Sequence, residues 1–125
     1  MADLTTDAKV DLYKSVINVF TQVISEMREL SKKKPELNLS SFKVKQINRV
    51  LEDVLKIVDE EPEIKYIGLL DDEALPQNAD AVLVMCQFEA ALKGFQGRYF
   101  RYSQGSHRWQ TVEYELSMLE NDEEA

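Results

Sequence analysis

The chain has 125 residues, 44% of them apolar, and a formal net charge of -8 from 23 acidic and 15 basic side chains. This is the length of one ordinary domain, which buries roughly two-thirds of its unfolded surface and needs no disulfide or structural metal. The acidic balance argues against a general nucleic-acid binder and for basic partners. The single cysteine, Cys86, excludes an internal disulfide and lies in an apolar run typical of a buried residue.

The first predicted helix begins at Thr5 or Thr6 and ends at the lysines before Pro35. Either threonine can cap the first amides, and Asp7 suits the positive end of a helix. Proline forces the residue before it out of the helical conformation. Apolar residues between these limits repeat every three or four positions and predict one buried face. They are Val10, Tyr13, Ile17, Phe20, Ile24 and Met27.

A second helix is predicted from Ser40 or Ser41 to about Glu60. Its apolar face consists of Val44, Ile47, Leu51, Val54 and Val58. Because only a short connection separates the two helices, we expect them to pack as an antiparallel hairpin. Residues 61–77 contain two prolines and an acidic group, and we interpret them as a loop or short helical turn folded over one end of the bundle.

A third helix is predicted over residues 78–101, with Asn78 as its N-cap. Its first half is apolar on every side and its second half on one side, so we expect neighbouring segments to cover it almost completely. Two glycines near its far end, Gly94 and Gly97, indicate a close approach of another segment, a kink or an early stop.

Residues 97–119 have two interpretations. In the first, Gly105 ends the third helix and Ser106 caps a fourth, whose apolar residues Trp109, Val112, Leu116 and Leu119 have helical spacing. In the second, residues 98–103 and 108–116 form a β-hairpin around a turn at 104–106. We favour the fourth helix, because three helices already set the context.

The predicted fold is therefore all-α, an antiparallel bundle of three long helices plus a fourth C-terminal helix, with the C-terminal β-hairpin as the alternative. We expect a single helical domain over residues 1–119 and a disordered acidic tail over 120–125.

The sequence predicts neither catalytic residues nor a cofactor. One histidine and one cysteine cannot form a zinc site, and there is no glycine-rich phosphate-binding loop. We therefore expect that the protein is not an enzyme and holds no metal. The charged first fifteen residues lack the apolar core of a secretion signal, and the longest apolar run is too short to span a bilayer. The expected setting is the cytoplasm, without a membrane partner.

The bundle prediction separates the charges into two poles. The end of the first helix and the start of the second form a basic pole of Arg28, Lys32, Lys33, Lys34, Lys43, Lys45 and Arg49. Acidic residues of 3–11 and 52–63 meet at the other end. If the third helix runs from the acidic to the basic pole, it adds Lys93, Arg98 and Arg101, and Arg108 joins them. Such a concentration of like charge indicates a binding partner that is attracted by the electrostatic field of the pole.

Aromatic residues accompany these arginines and define a candidate site. Trp, Tyr and Arg are common anchors of protein interfaces, while arginines among aromatics also hold phosphates and stack on bases. The predicted partner-binding residues are Arg98, Tyr99, Arg101, Tyr102, His107, Arg108 and Trp109.

The sequence thus predicts a non-enzymatic protein-interaction module, such as a small regulatory adaptor, inhibitor or immunity-type protein. A nucleic-acid or anion-binding module is the alternative. A homodimer is also open, because four apolar residues off the main stripes are candidates for a dimer surface, namely Leu12, Ile57, Tyr114 and Met118.

Overall fold

The computed structural model describes residues 3–124, and the side chains of residues 3–121. The elements in chain order are α1 (Asp7–Lys33), α2 (Ser41–Val58), a 3₁₀ turn (Pro62–Tyr66), α3 (Asn78–Tyr99), β1 (Phe100–Ser103), β2 (Ser106–Trp109) and α4 (Val112–Glu124). Four α-helices and one two-stranded sheet make up this part of the chain, so the prediction of a mainly helical fold is confirmed.

The starts of the first two helices confirm the predicted caps. The Thr6 hydroxyl accepts a hydrogen bond from the Lys9 amide at 3.3 Å, and the Ser40 hydroxyl accepts one from the Lys43 amide at 3.2 Å. These oxygens satisfy amides that have no partner inside the helix. α1 ends just before Pro35, as predicted.

The buried faces of α1 and α2 follow the predicted stripes closely. All five residues of the predicted α2 face are buried. Five of the six residues of the predicted α1 face are buried as well; the exception is Ile17, which is half-buried, and its neighbour Val16 is buried instead. Ile57 was predicted as an exposed dimer residue, and this is wrong, because it is 0% exposed. The 3₁₀ turn and α3 pack against α2 as well as α1, so more of its circumference is covered than one stripe predicts. The other three dimer candidates, Leu12, Tyr114 and Met118, are half-buried.

α3 begins beside the connection between α1 and α2. The Asn78 amide donates to the Leu37 carbonyl at 2.9 Å, and its side-chain amide donates to the Lys34 carbonyl at 2.8 Å. Its far end contacts Glu61, which follows α2. α3 therefore runs parallel to α2 and antiparallel to α1, and the predicted direction from the acidic end was wrong. The predicted cap was also wrong, because Gln77 takes the N-cap position, without a side-chain hydrogen bond.

The segment between the 3₁₀ turn and α3 explains this direction. The Asn48 side chain pairs with both the amide and the carbonyl of Leu70, at 3.0 and 2.9 Å, and the Leu39 amide donates to the Pro76 carbonyl at 2.8 Å. The segment of residues 67–77 lies between the 3₁₀ turn and α3, and a chain of about ten residues can reach about 30 Å when extended. Eighteen helical residues rise about 27 Å. The segment can therefore cross the length of α2. The predicted short helical turn is present at Pro62–Tyr66, but the prediction that the whole segment folds over one end was wrong.

The C-terminal region combines both interpretations of the sequence. β1 and β2 pair antiparallel around Gln104 and Gly105, whose φ angles of 51° and 90° are those of a tight two-residue turn. The predicted fourth helix then begins at Val112 instead of Ser106, with the Thr111 hydroxyl accepting from the Tyr114 amide at 3.1 Å. β1 ends α3 at Tyr99, two residues before its predicted end.

The ends of this region are also located. α4 extends to Glu124, so residues 120–124, expected to be disordered, form its last turns, and Ala125 lies outside the described residues. The backbone of Thr5 joins the region to the start of the chain, because its amide donates to the Gln110 carbonyl and its carbonyl accepts from the Val112 amide, each at 2.9 Å.

Candidate functional site

Arg98 points into an acidic cluster at the end of α3. Its Nε donates to Glu61 at 2.9 Å, and one terminal nitrogen donates to both oxygens of Glu63, at 2.5 and 2.9 Å. Burial disfavours the Glu63 carboxylate, but hydrogen bonds from Arg98 and the backbone outweigh it, so the pKa of Glu63 lies below its usual value. Glu61 is only 4% exposed. The charge of Arg98 is thus compensated inside the protein.

Tyr99 and Trp109 also belong to the interior. The Tyr99 hydroxyl lies 3.0 Å from both carboxylate oxygens of Glu61, and burial together with this hydrogen bond raises the pKa of Tyr99 to about 12. The Trp109 ring packs against the rings of Tyr13 and Phe95, with centroids 5.1 and 5.7 Å apart. Three of the seven predicted site residues, including Arg98, therefore stabilise the junction of α1, α3 and the hairpin.

Arg101 and Arg108 form a cross-strand pair on one face of the hairpin. Arg101 donates to the Asp3 carbonyl at 3.0 Å, whereas Arg108 donates to the Ser106 hydroxyl at 2.8 Å and to the Tyr114 hydroxyl, and stacks on the Tyr114 ring. Within residues 3–121 neither guanidinium forms an ion pair. Opposed like charges destabilise a hairpin, so this face is suited to an incoming anion.

Tyr102 and His107 lie on the other face of the hairpin, near its tip. They are paired across the strands, with ring centroids 5.5 Å apart, and His107 also stacks on Phe100 at 5.9 Å. Both side chains are exposed, Tyr102 at 67%. The predicted site is therefore divided: four residues lie on two faces of the hairpin, and three half-buried residues make contacts within the bundle.

The two predicted charge poles are only partly formed in the folded chain: the cations at the end of α1 and the start of α2 lie at one end of the bundle, but those of α3 and the hairpin do not join them. α3 carries Arg98 to Glu61 and Glu63, and it brings Asp80 to the end where the lysines of α1 lie. Arg98 is separated from Lys34 by nearly the whole of α3, about 30 Å. Each end of the bundle therefore carries charges of both signs, and the proximity of Lys32–Lys34 to Arg98 and Arg101 was wrongly predicted.

An exposed apolar stripe on α4 was not recognised as a candidate surface. Val112, Leu116 and Leu119 are 41%, 54% and 56% exposed. Their spacing places them on one side of the helix, and Tyr114 and Met118, which are half-buried, lie on the opposite side. The signal was visible in the sequence as helical spacing, but it was used only to predict a fourth helix.

A second apolar surface lies between α1 and α2. Its largest exposed side chain is Phe42, at 70%, and Val19 is 49% exposed. The adjoining groove has a volume of about 260 Å³. Its lining consists of Val23, Glu26, Met27, Leu30, Phe42, Lys43, Gln46 and Ile47. In the sequence, Phe42 lies outside the apolar face predicted for α2, and this position was the signal from which the surface could have been identified.

The described residues were also compared with the requirements of metal sites, membrane spans and known families. Within the described residues, no three His, Cys, Asp or Glu side chains are grouped closely enough to hold a metal ion. Nor does any helix over residues 3–124 combine the length and the apolar character needed to cross a bilayer. Comparison with known proteins found no matching family, no similar curated protein and no similar solved structure.

Proposed function

We propose that this chain is a non-enzymatic protein-interaction module that presents α4 to its partner. The observation that carries the proposal is the exposed stripe of Val112, Leu116 and Leu119, with exposures of 41–56%. Positions i, i+4 and i+7 are the anchors with which an amphipathic helix enters an apolar groove of another protein. An unpartnered stripe of this kind marks an interaction surface.

The charges of α4 define the chemistry of the partner. Glu113, Glu115 and Glu120 are exposed beside the stripe, and the sequence of α4 contains no lysine or arginine. A complementary partner has an apolar groove with a basic rim, because opposite potentials favour the correct encounter and disfavour others. The net charge of -8 favours the same class of partner.

α4 is attached to the bundle through its first turn. The Val112 amide donates to the Thr5 carbonyl at 2.9 Å, and Glu113 accepts from the Asp7 amide at 3.1 Å. Tyr114 contacts Arg108 of the hairpin, Met118 on the same side of the helix is half-buried, and the stripe on the opposite side is exposed. This arrangement holds the helix in place while leaving one face for a partner.

The proposed role is that of a small regulatory adaptor, inhibitor or immunity-type protein in the cytoplasm. Such proteins act by occupying a surface and need no reactive group. A single unpaired cysteine agrees with a reducing compartment.

Anion or nucleic-acid binding is the second candidate function. One observation favours it, which is that Arg101 and Arg108 face each other without a carboxylate partner within residues 3–121. Its wider support, a basic pole with eleven cations, is reduced because α3 runs in the other direction and carries four of the eleven to the opposite end of the bundle. We therefore rank it below binding through α4.

Photo-cross-linking from α4 tests the proposal. A benzophenone amino acid at position 116 is expected to label a partner in extracts of the native host, whereas the same group at position 83 is not. Leu83 is the matched control, because it is a leucine of α3 with 63% exposure. Leu116→Asp is expected to remove the captured partner and Leu83→Asp to retain it. Equal labelling from both positions would exclude α4 as the specific binding element.

A further inference from the structure

The groove between α1 and α2 has the chemistry that α4 requires. Val23, Met27 and Leu30 form the α1 side of its apolar part, and Phe42 and Ile47 form the α2 side. Gln46 also lines a second groove of about 330 Å³ that continues along the same helices past Val19 and Val50. Together the two make a surface on the outside of the bundle that is longer than the stripe of α4, which spans about 10 Å.

The rim of this groove is basic at one end. Lys43 and Arg49 line it and form no ion pair within residues 3–121. Of the acids on the rim, Asp53 lies 3.6 Å from Lys56, which leaves Glu26 opposite two cations. One turn beyond Leu30, helical spacing places Lys33 on the same side.

We infer that the α1–α2 groove of one copy of this chain receives α4 of a second copy. The inference rests on the proposed function to the extent that α4 is the binding element. Val112, Leu116 and Leu119 enter the apolar groove beside Phe42. Glu120, in the later part of α4, then lies toward Lys33 and Lys43, and cations at this place also favour the negative C-terminal end of the helix.

The pairing is reciprocal. Each copy presents one α4 and one groove, so two copies related by a two-fold axis exchange helices and leave neither surface open. One 13-residue helix covers a small area. Two reciprocal contacts double that area and bring it toward the roughly 1,000 Å² that a stable specific interface needs.

Sedimentation equilibrium of the purified full chain provides the first test. The wild-type protein is expected to sediment at twice the chain mass of 14.4 kDa at high micromolar concentration. Leu116→Asp on α4 and Phe42→Asp in the groove each raise the dissociation constant by about 1,000-fold, because in a two-fold dimer each substitution removes one central apolar anchor, worth about 30-fold, from both contacts. The matched control Leu83→Asp leaves it unchanged. Circular dichroism verifies that each variant is folded, as expected for substitutions at exposed positions.

Mixing the two variants tests which surfaces meet. The Phe42→Asp copy has an intact α4 and the Leu116→Asp copy has an intact groove, so an equimolar mixture regains one of the two contacts and forms a heterodimer. Neither variant alone does so. Recovery in the mixture supports the pairing of α4 with the groove, because a contact between two α4 helices would not be restored in this way.

Three results would overturn the inference: a monomeric wild type, a dimer insensitive to Phe42→Asp, or no recovery on mixing. These results are distinguishable from failure of the proposed function. A monomeric wild type that still loses its cross-linked partner through Leu116→Asp removes the second copy as the occupant and retains α4 as a binding element for another protein.

Discussion

Glu63 reaches Arg98 across α3 because residue 94 has no side chain. A Cβ at Gly94 would overlap the Glu63 carboxylate and would lie 2.9 Å from a terminal nitrogen of Arg98. At Gly97, three residues further on, no atom lies within 4 Å of the position that an added Cβ would occupy. Both glycines lower the helix propensity of α3, but only Gly94 has a contact that requires it, and this contact is with side chains.

Alanine substitutions at these two glycines are expected to differ in effect. Gly97→Ala should raise the free energy of unfolding by up to about 1 kcal/mol, because alanine is the better helix former and nothing opposes its methyl group. Gly94→Ala should give no such gain, because it displaces Glu63 from Arg98. Urea unfolding followed by Trp109 fluorescence measures both. The double variant Gly94→Ala/Glu63→Ala serves as the control, because it removes the carboxylate with which the new methyl group overlaps. Equal stabilisation by Gly94→Ala and Gly97→Ala would contradict the predicted overlap.

Tyr99 provides a prediction on pH. Its pKa of about 12 in the folded protein lies above the ordinary value of 10.0, because burial and the Glu61 carboxylate both disfavour the phenolate. The folded state therefore holds this proton more tightly than the unfolded state. The resulting stability is complete below pH 10 and is lost as the pH rises toward 12.

Substitution of Tyr99 isolates this contribution. We expect the free energy of unfolding of the wild type to fall more steeply above pH 10 than that of Tyr99→Phe, since phenylalanine has no proton to lose. All other side chains are the same in both proteins, so the difference between the two curves reports Tyr99. Parallel curves would show that Tyr99 does not carry this linkage.

Among the secondary-structure elements, the hairpin is the one whose formation is explained most directly by local backbone conformation. Gln104 and Gly105 both have positive φ, at 51° and 90°. A two-residue turn of this kind matches the twist of the flanking strands and favours Asn-Gly. The turn sets the register in which Phe100 pairs with Trp109 and Arg101 with Arg108. It therefore sends the tryptophan into the aromatic core and the two arginines to the opposite face.

Changes in the turn should alter stability in opposite directions. Gly105→Ala is expected to lower the free energy of unfolding by about 1 kcal/mol, because alanine is strained in the left-handed region. Gln104→Asn should raise it slightly, since asparagine tolerates positive φ better. Gly68→Ala is the matched control, with no atom within 4 Å of the added carbon. Thermal unfolding measures all three, and a loss in the control equal to that of Gly105→Ala would contradict the role of the turn.

α4 differs from the other helices in how it is stabilised. Isolated helices of this length, 13 residues, are marginal in water. α1 and α2 bury their apolar stripes in the core, whereas the Val112–Leu119 stripe of α4 remains exposed. The helix therefore relies on the contacts of its first turn, which include that of Tyr114 with Arg108. A partner that covers the stripe would stabilise α4 at the same time as it binds.

At the scale of the whole molecule, the direction of α3 determines the charge distribution. It places Arg98 between Glu61 and Glu63 and mixes charges of both signs at each end. Arg28 and Glu89 form a further link between α1 and α3, at 2.9 Å, and this hydrogen bond lowers the pKa of Glu89. The molecule thus uses many of its cations internally, while keeping a net charge of -8.

This distribution predicts no measurable binding to nucleic acid. Affinity for a polyphosphate comes mainly from clustered lysines and arginines, and here the cations are divided between two places on a chain of net charge -8. Arg101 and Arg108 lie on the hairpin, whereas Lys33, Lys34 and Lys43 lie at the other end of the bundle. Fluorescence anisotropy of a labelled oligonucleotide at low salt is expected to stay unchanged. An increase that disappears steeply with added salt, and that Arg101→Ala/Arg108→Ala abolishes, would establish the second candidate function instead.

Much of the candidate site could not be predicted because its contacts are remote in sequence. Glu63 precedes Arg98 by 35 residues, and Tyr99 lies 38 residues beyond Glu61. A sequence pattern shows that these residues are charged or aromatic, but it does not show whether a carboxylate will reach them. Tyr102 and His107 are exposed as a partner site requires, whereas Trp109 is drawn inward by the hairpin register.

The sequence alone determined the features that arise within a single helix. The starts at Thr6 and Ser40 and the buried faces of α1 and α2 depend on capping and on a repeat of 3.6 residues, which are local properties. Only the tertiary structure decided the direction of α3 and hence the partner of Arg98. The reason is that the extended segment of residues 67–77 has no periodic signal, and its path depends on contacts such as that of Asn48 with Leu70.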